Sequence, residues 1–330
     1  MTPTISATGS ASARKIWLLG LGVAAFVALY TGAWFFGADR LKGYVRHRLS
    51  DASVAVACTG LDVKGFPFRI GVFCDAVGID DKRTGTSASF GALRSAAQVY
   101  RPGHAVMELD GPALVRVSPD IALTADWQLM QASAVAGTGG LERASIASDA
   151  LKGNFTASMG ETKLDFLARH GEMHARANGD ALDAALSLDG LELTAADTPV
   201  PKADVSLDVT IANAAGWLND GPPPNAPRNT KGDLRSLRLD FGNGNSATLS
   251  GTFKINDKGL VSGKFQLDVS GIDTLRDIVS QAFPDMADTA SSIADTIRGL
   301  SGGGDARVKL RADDGVLYLG LIPIAAIRAL

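Results

Sequence analysis

From Ile16 to Phe36 the chain is apolar without a break, reading IWLLGLGVAAFVALYTGAWFF, and beyond Asp51 it turns into long stretches that alternate apolar with polar residues. The first pattern predicts a helix. At about 1.5 Å of rise per residue, it matches the hydrocarbon thickness of a bilayer. Trp17 stands at one end and Trp34, Phe35 and Phe36 at the other, where aromatic rings favour the membrane interface. A cleaved signal sequence has a shorter apolar core, about 7–15 residues, and a small-residue cleavage site. The run here is longer and ends in bulky rings, so it reads as an uncleaved anchor. Arg14 and Lys15 before it favour a cytoplasmic N-terminus, whereas Arg40, Lys42, Arg46 and Arg48 after it pull the other way. The resulting division is a tail over 1–15, an anchor over 16–36 and a juxtamembrane helix over 37–50.

The second pattern predicts strands. DASVAVACTGLDV and FRIGVFCDAVGID flank a Gly/Pro turn at Lys64-Gly65-Phe66-Pro67 and read as a hairpin. FGALRSAAQVY and AVMELDGPALVRV read as two further strands, joined by Arg101-Pro102-Gly103-His104. TKLDFLARH, EMHARANG, ALDAALSLDGLEL and ADVSLDVTIANAA continue the alternation, as expected for an antiparallel sheet with one dry and one wet face. GPPPNAP at 221–227 interrupts the β-rich region 51–220 as a loop or boundary, because its prolines cannot serve a ladder. Three strands resume in 228–330. Ile272, Leu275, Ile278, Val279 and Phe283 then fall at helical spacing with Asp273 as a cap, Pro284 is expected to break that helix, and a second is expected over 285–298. The fold class expected is mainly β (α+β): a transmembrane helix, a large curved antiparallel sheet forming a half-barrel or sandwich, and one or two C-terminal helices.

Cys58 and Cys74 are the only cysteines. With the hairpin centred on Phe66, opposed residue numbers sum to 132, which sets the two sulfurs across from each other, where a disulfide is feasible. A disulfide implies an oxidising compartment. The alternative is two buried thiols packing as small hydrophobes.

Composition narrows the function classes. A net charge of −3 and no basic patch with interleaved aromatics exclude a nucleic-acid interface. Glycine at 37 and proline at 13 suit many short strands and tight turns. His170-Gly-Glu-Met-His174 puts two imidazoles and a carboxylate on one strand face, but no third or fourth metal ligand or supporting shell accompanies them, and an exposed wet face is the simpler account. GLVSGKF at 259–265 is one residue short of a phosphate loop, lacks its Ser/Thr and lies between strands. There is no G-x-S-x-G elbow and no paired carboxylates, so no catalytic constellation, metal site or cofactor is expected.

Three segments carry a family resemblance. They are Cys58 with Gly65-Phe66-Pro67-Phe68-Arg69-Ile70 and Cys74; Ala97-Gln98-Val99-Tyr100-Arg101-Pro102-Gly103-His104; and Asp314-Gly315 through Leu319-Gly320-Leu321-Ile322-Pro323-Ile324. With the N-terminal span, they resemble the alphaproteobacterial family of domain of unknown function 2125. The repeated strand phrasing is more distantly similar to AsmA-type envelope proteins, which are linked to lipid handling. The resemblance implies a single-pass inner-membrane protein with its C-terminal domain in the periplasm and no established activity. A binding module for phospholipid or another acyl ligand is the leading expectation. Its apolar groove or lid would draw on Ile272, Leu275, Ile278, Val279, Phe283, Leu319, Leu321, Ile322 and Ile324. The alternative is a non-catalytic scaffold that engages envelope proteins.

Overall fold

The computed structural model describes residues 10–51, 55–81, 85–118, 120–157, 162–195, 198–282, 287–301 and 305–330. Helix α1 runs unbroken from Ser10 to Asp51, so the apolar run and the basic segment after it form one rod. Within it, Arg14–His47 is long and apolar enough to cross a membrane. Most of its apolar side chains are bare. Trp34 and Ala38 are buried where the rod meets the sheet, and Tyr30, Leu41, Val45 and Leu49 are half-buried.

The strands form one antiparallel sheet that does not close into a barrel, and strands account for 59% of the protein. The first five passages of the chain are each broken once. They are β1 (Ala55–Thr59) with β2 (Asp62–Lys64), β3 (Arg69–Cys74) with β4 (Ala76–Asp81), and β5 (Thr86–Phe90) with β6 (Leu93–Gln98). Then come β7 (Arg101–Leu109) with β8 (Ala113–Ser118), and β9 (Ile121–Asp126) with β10 (Leu129–Gly137). The next strand, β11 (Gly140–Ala157), spans both halves and pairs along one edge with β10 and β9 in turn. The sheet therefore forks there. One arm runs β10–β7–β6–β3–β2, the other β9–β8–β5–β4–β1.

Backbone bonds stitch the crease between the arms. Asp75 N–H donates to the Thr59 carbonyl (2.7 Å), Gly91 N–H to Asp110 (3.0 Å), Asp110 N–H to Ala92 (2.8 Å) and Gln128 N–H to Asp149 (3.0 Å). Gly60 is needed at this line. Its φ is +68°, and a Cβ there would lie 2.0 Å from the Asp75 carboxylate. Two sequence readings are corrected here. FGALRSAAQVY and AVMELDGPALVRV are not single strands but are bent at 91–92 and 110–112, and the 101–104 segment expected as their joint begins β7.

On its other edge β11 leads a plain meander. Its members are β12 (Thr162–Asn178), β13 (Ala181–Ala195), β14 (Thr198–Ile211), β15 (Lys231–Asp240), β16 (Ser246–Ile255), β17 (Val261–Ser270), β18 (Ala306–Asp313), β19 (Val316–Leu319) and β20 (Ile322–Ala326). A single-turn helix, α2 (Trp217–Asp220), precedes the proline-rich 221–227. That stretch is a loop and not a break in the sheet, because β14 and β15 pair across it from Ile211↔Gly232 to Asp204↔Asp240.

Between β17 and β18 the chain leaves the sheet as α3 (Ile272–Ala282) and α4 (Ala287–Ser301). They close a core of Val269, Ile272, Ala294, Ile297, Val308, Leu310 and Leu319, with Leu275, Ile293 and Phe265 against it. Among the described residues no side chain larger than alanine falls below 2% exposure, and the buried residues that cluster into a core do so at this end.

The wet face has its own anchor. Asp183 on β13, 4% exposed, accepts from Thr210 Oγ1 (2.7 Å), from the Arg176 guanidinium (3.0 Å) and from Arg235 Nη1 (3.3 Å). The Thr210 hydroxyl, then Arg176 and Arg235, hold its carboxyl below the usual aspartate range despite burial. Stability from this group is present above the ordinary aspartate pKa and is lost as pH falls through the depressed one. Asp183→Ala removes these bonds and is expected to cost about 2 kcal/mol of unfolding free energy, read as a lowered denaturation midpoint.

Candidate functional site

Alternation sends successive side chains to opposite faces, and the pairing registers then decide which residues line up across strands. On the dry face one row runs Met107, Ala132, Ile146, Met173, Leu186, Leu207, Leu237, Leu249, Leu267 and Val308, each in register with the next. That is ten adjacent strands without a polar residue, about 43 Å at the usual strand spacing. The parallel row beside it begins Ile70, Ala97, Ala105, Ala134, Ala144, Ala175 and Ala184, then continues to Val209, Leu234, Gly251, Phe265, Leu310 and Leu319. Six consecutive alanines make a low track beside a ridge of Met and branched aliphatic side chains.

α3 and α4 cover this face only at its C-terminal end. Over β6 to β13 the alanines are half-buried, while Ile146 and Met173 are 39% and 49% exposed. This uncovered, aliphatic, alanine-floored face is the candidate site. Its chemistry suits saturated hydrocarbon and offers no convergent polar groups.

The wet face holds a shallow recess of about 540 Å³ lined by Phe73, Arg94, Val106, Glu108, Gln131, Glu172 and His174. Its polar groups bond to one another. Arg94 pairs with Asp110 (2.5 Å), and Gln131 donates to Glu108 (3.0 Å). Across β11 and β12, His170 sits between Asp149 (2.6 Å) and Glu172 (3.0 Å), and Glu172 also meets His174 (3.1 Å). The HGEMH segment is thus a cross-strand network, and among the described residues no group of three His, Cys, Asp or Glu is arranged to hold a metal.

Glu172, then Asp149, raise the His170 pKa, and the two histidines lower that of Glu172. Stability from protonated His170 is full below the ordinary histidine pKa, about 6.5, and disappears as pH rises through the raised value. An NMR titration should place the His170 midpoint above the ordinary histidine value, and Glu172→Gln should bring it down.

The cysteines form a disulfide with Cα atoms 5.3 Å apart. The expected register is corrected. β2 and β3 pair Asp62 with Phe73 and Lys64 with Gly71, a sum of 135, not 132. Cys58 lies opposite Val77 on β4, and Cys74 opposite Leu93 on β6. The turn is wider than drawn, closed by Arg69 N–H on the Gly65 carbonyl (2.9 Å), and the strand breaks at Gly60. The bridge therefore ties the two arms of the fork together. Replacing both cysteines by serine should lower stability by about 3 kcal/mol for a loop of this length, measured by denaturant unfolding.

The residues named for a groove or lid separate. Ile272 and Leu319 are buried in the closed core, and Leu275 and Ile324 pack against it. Ile272, Leu275 and Val279 also line an apolar cavity of about 250 Å³ between the helices and β17, and Ile278 is half-buried on the same helix. Leu321 and Ile322 are 92% and 61% exposed at the sheet edge, and Phe283 lies outside the described residues. The alanine track was not named from sequence. Its signal was present in repeated x-Ala-x-Ala phrasing, but only the registers align it.

No curated protein and no solved structure matches the chain. A family model described as "Uncharacterized protein conserved in bacteria (DUF2125)" matches residues 34–328, which takes in the sheet, both C-terminal helices and the end of α1. The chain belongs to that family.

Proposed function

We propose that this is a single-pass inner-membrane protein whose sheet lies in the periplasm and holds a phospholipid or another acyl chain on the alanine track. The carrying observation is the dry face that no second layer covers over β6–β13 among the described residues. A contiguous apolar surface of this kind is disfavoured in water unless something apolar occupies it. The disulfide fits an oxidising compartment. The burial of Trp34 and Ala38 against the sheet fits a helix kept as an anchor, since cleavage would remove partners that the domain uses. Among the described residues that face carries no convergent polar cluster, which favours a non-catalytic binding role over an enzyme.

The test uses the full chain purified in mild detergent and measured by native and denaturing mass spectrometry. Lipid is expected to co-purify near stoichiometrically. Ile146→Glu and Met173→Glu put charges on part-exposed positions of the ridge beside the track and should abolish that lipid while leaving lipid bound around α1. Equal lipid in parent and variants would defeat the reading and favour a scaffold for envelope proteins.

A further inference from the structure

The β2–β3 turn does not project into solvent but lies against α1 within its apolar run. Phe66 packs on Tyr30, Trp34 and Phe35, with ring centroids 6.4, 5.6 and 5.6 Å away. The Tyr30 hydroxyl donates to the Pro67 carbonyl (2.5 Å), and Trp34 Nε1 donates to the Arg69 carbonyl (3.1 Å). Both polar tips on this side of the helix are thus satisfied by turn backbone, as an apolar surrounding requires. Tyr30 precedes Phe36, the end of the apolar run, by six residues, about 9 Å along a helix. That depth is within the 5–10 Å or so to which interfacial apolar groups enter a leaflet.

A second turn joins the first. Val99 N–H donates to the Phe68 carbonyl (3.0 Å), which brings the β6–β7 turn alongside. Phe68 is 68% exposed and Tyr100 74%, and both sit at the end of the arm that meets α1. Neither 63–73 nor 97–105 contains an acidic residue, and Arg69 and Arg101 are exposed beside the rings. Apolar tips with a basic collar are the chemistry of a lipid surface.

We propose that these two turns form a foot inserted into the leaflet on the domain's side of the membrane. Arg69 pairs with Gln98 in the foot, and the next pair inward is Ile70 with Ala97, where the row that carries the alanine track begins. The foot thus opens the track onto the acyl region, so the occupant is a membrane lipid entering or leaving by lateral movement. This rests on the anchored, lipid-holding reading above.

The experiment uses the full chain in vesicles of equimolar phosphatidylcholine and phosphatidylglycerol. Because both native cysteines are paired, Phe68→Cys, Tyr100→Cys and the control Lys152→Cys each present one thiol for a spin label. Variants are accepted when intact mass shows the disulfide retained. Labels at 68 and 100 should be broadened by oxygen and lose broadening by a water-soluble nickel chelate, with the reverse at 152. Nickel access at 68 and 100, or shielding there from both reagents, would overturn the foot. Membrane-type labels in a protein that carries no lipid would remove only the lipid-holding reading. Aqueous labels in a lipid-loaded protein would remove only the foot.

Discussion

The antiparallel hydrogen-bond ladder, with its fixed side-chain period of two, is the constraint on which the other features depend. From Ile70 on β3 to Leu319 on β19 it keeps thirteen apolar residues in one file. A slip of one residue in any pair would send every later side chain to the opposite face. The same ladder explains how the sheet persists with so little dry core. Backbone donors and acceptors are satisfied strand to strand, so the sheet does not need a second layer to pair them.

Two ends of the dry face are handled differently. At the C-terminal end α3 and α4 turn the rows into a packed core around Ile272, Ile297, Val308 and Leu310. At the other end small side chains keep the floor low, and the rows stay half-open. On the wet face, paired charges such as Asp183 with Arg176 and Arg235 hold β12 to β15 in register without burying apolar area.

The fork at β11 gives the protein a second constraint. Breaking five successive passages along one line makes two arms, and two features add to the backbone bonds across the crease. One is the Cys58–Cys74 bridge. The other is α1, which braces one arm: Lys42 pairs with Asp62 on β2 (3.2 Å) while Trp34 binds the start of β3. The long apolar helix, the disulfide and the alanine track therefore meet at one arm.

The long apolar N-terminal helix, the β-rich class, the turn at Gly65–Pro67 and the two amphipathic helices were legible in the residue pattern, because each is decided by neighbours a few positions apart. The cysteine register was misread because a local turn count cannot see that Gly60 breaks the strand and that 65–68 widens the loop. Of the helical residues expected to line a groove or lid, Ile272 and Leu275 pack in the closed core while also lining a cavity beside it, because amphipathicity shows that a helix has a dry face, not what lies under it. The alanine track was out of reach altogether. Ala97, Ala105, Ala134, Ala144, Ala175 and Ala184 are ordinary strand residues one by one. Sequence alone decided that these strands have a dry face. Tertiary structure decided that the alanines share a line, since pairings such as Ala144 with Ala175 join residues far apart in the chain.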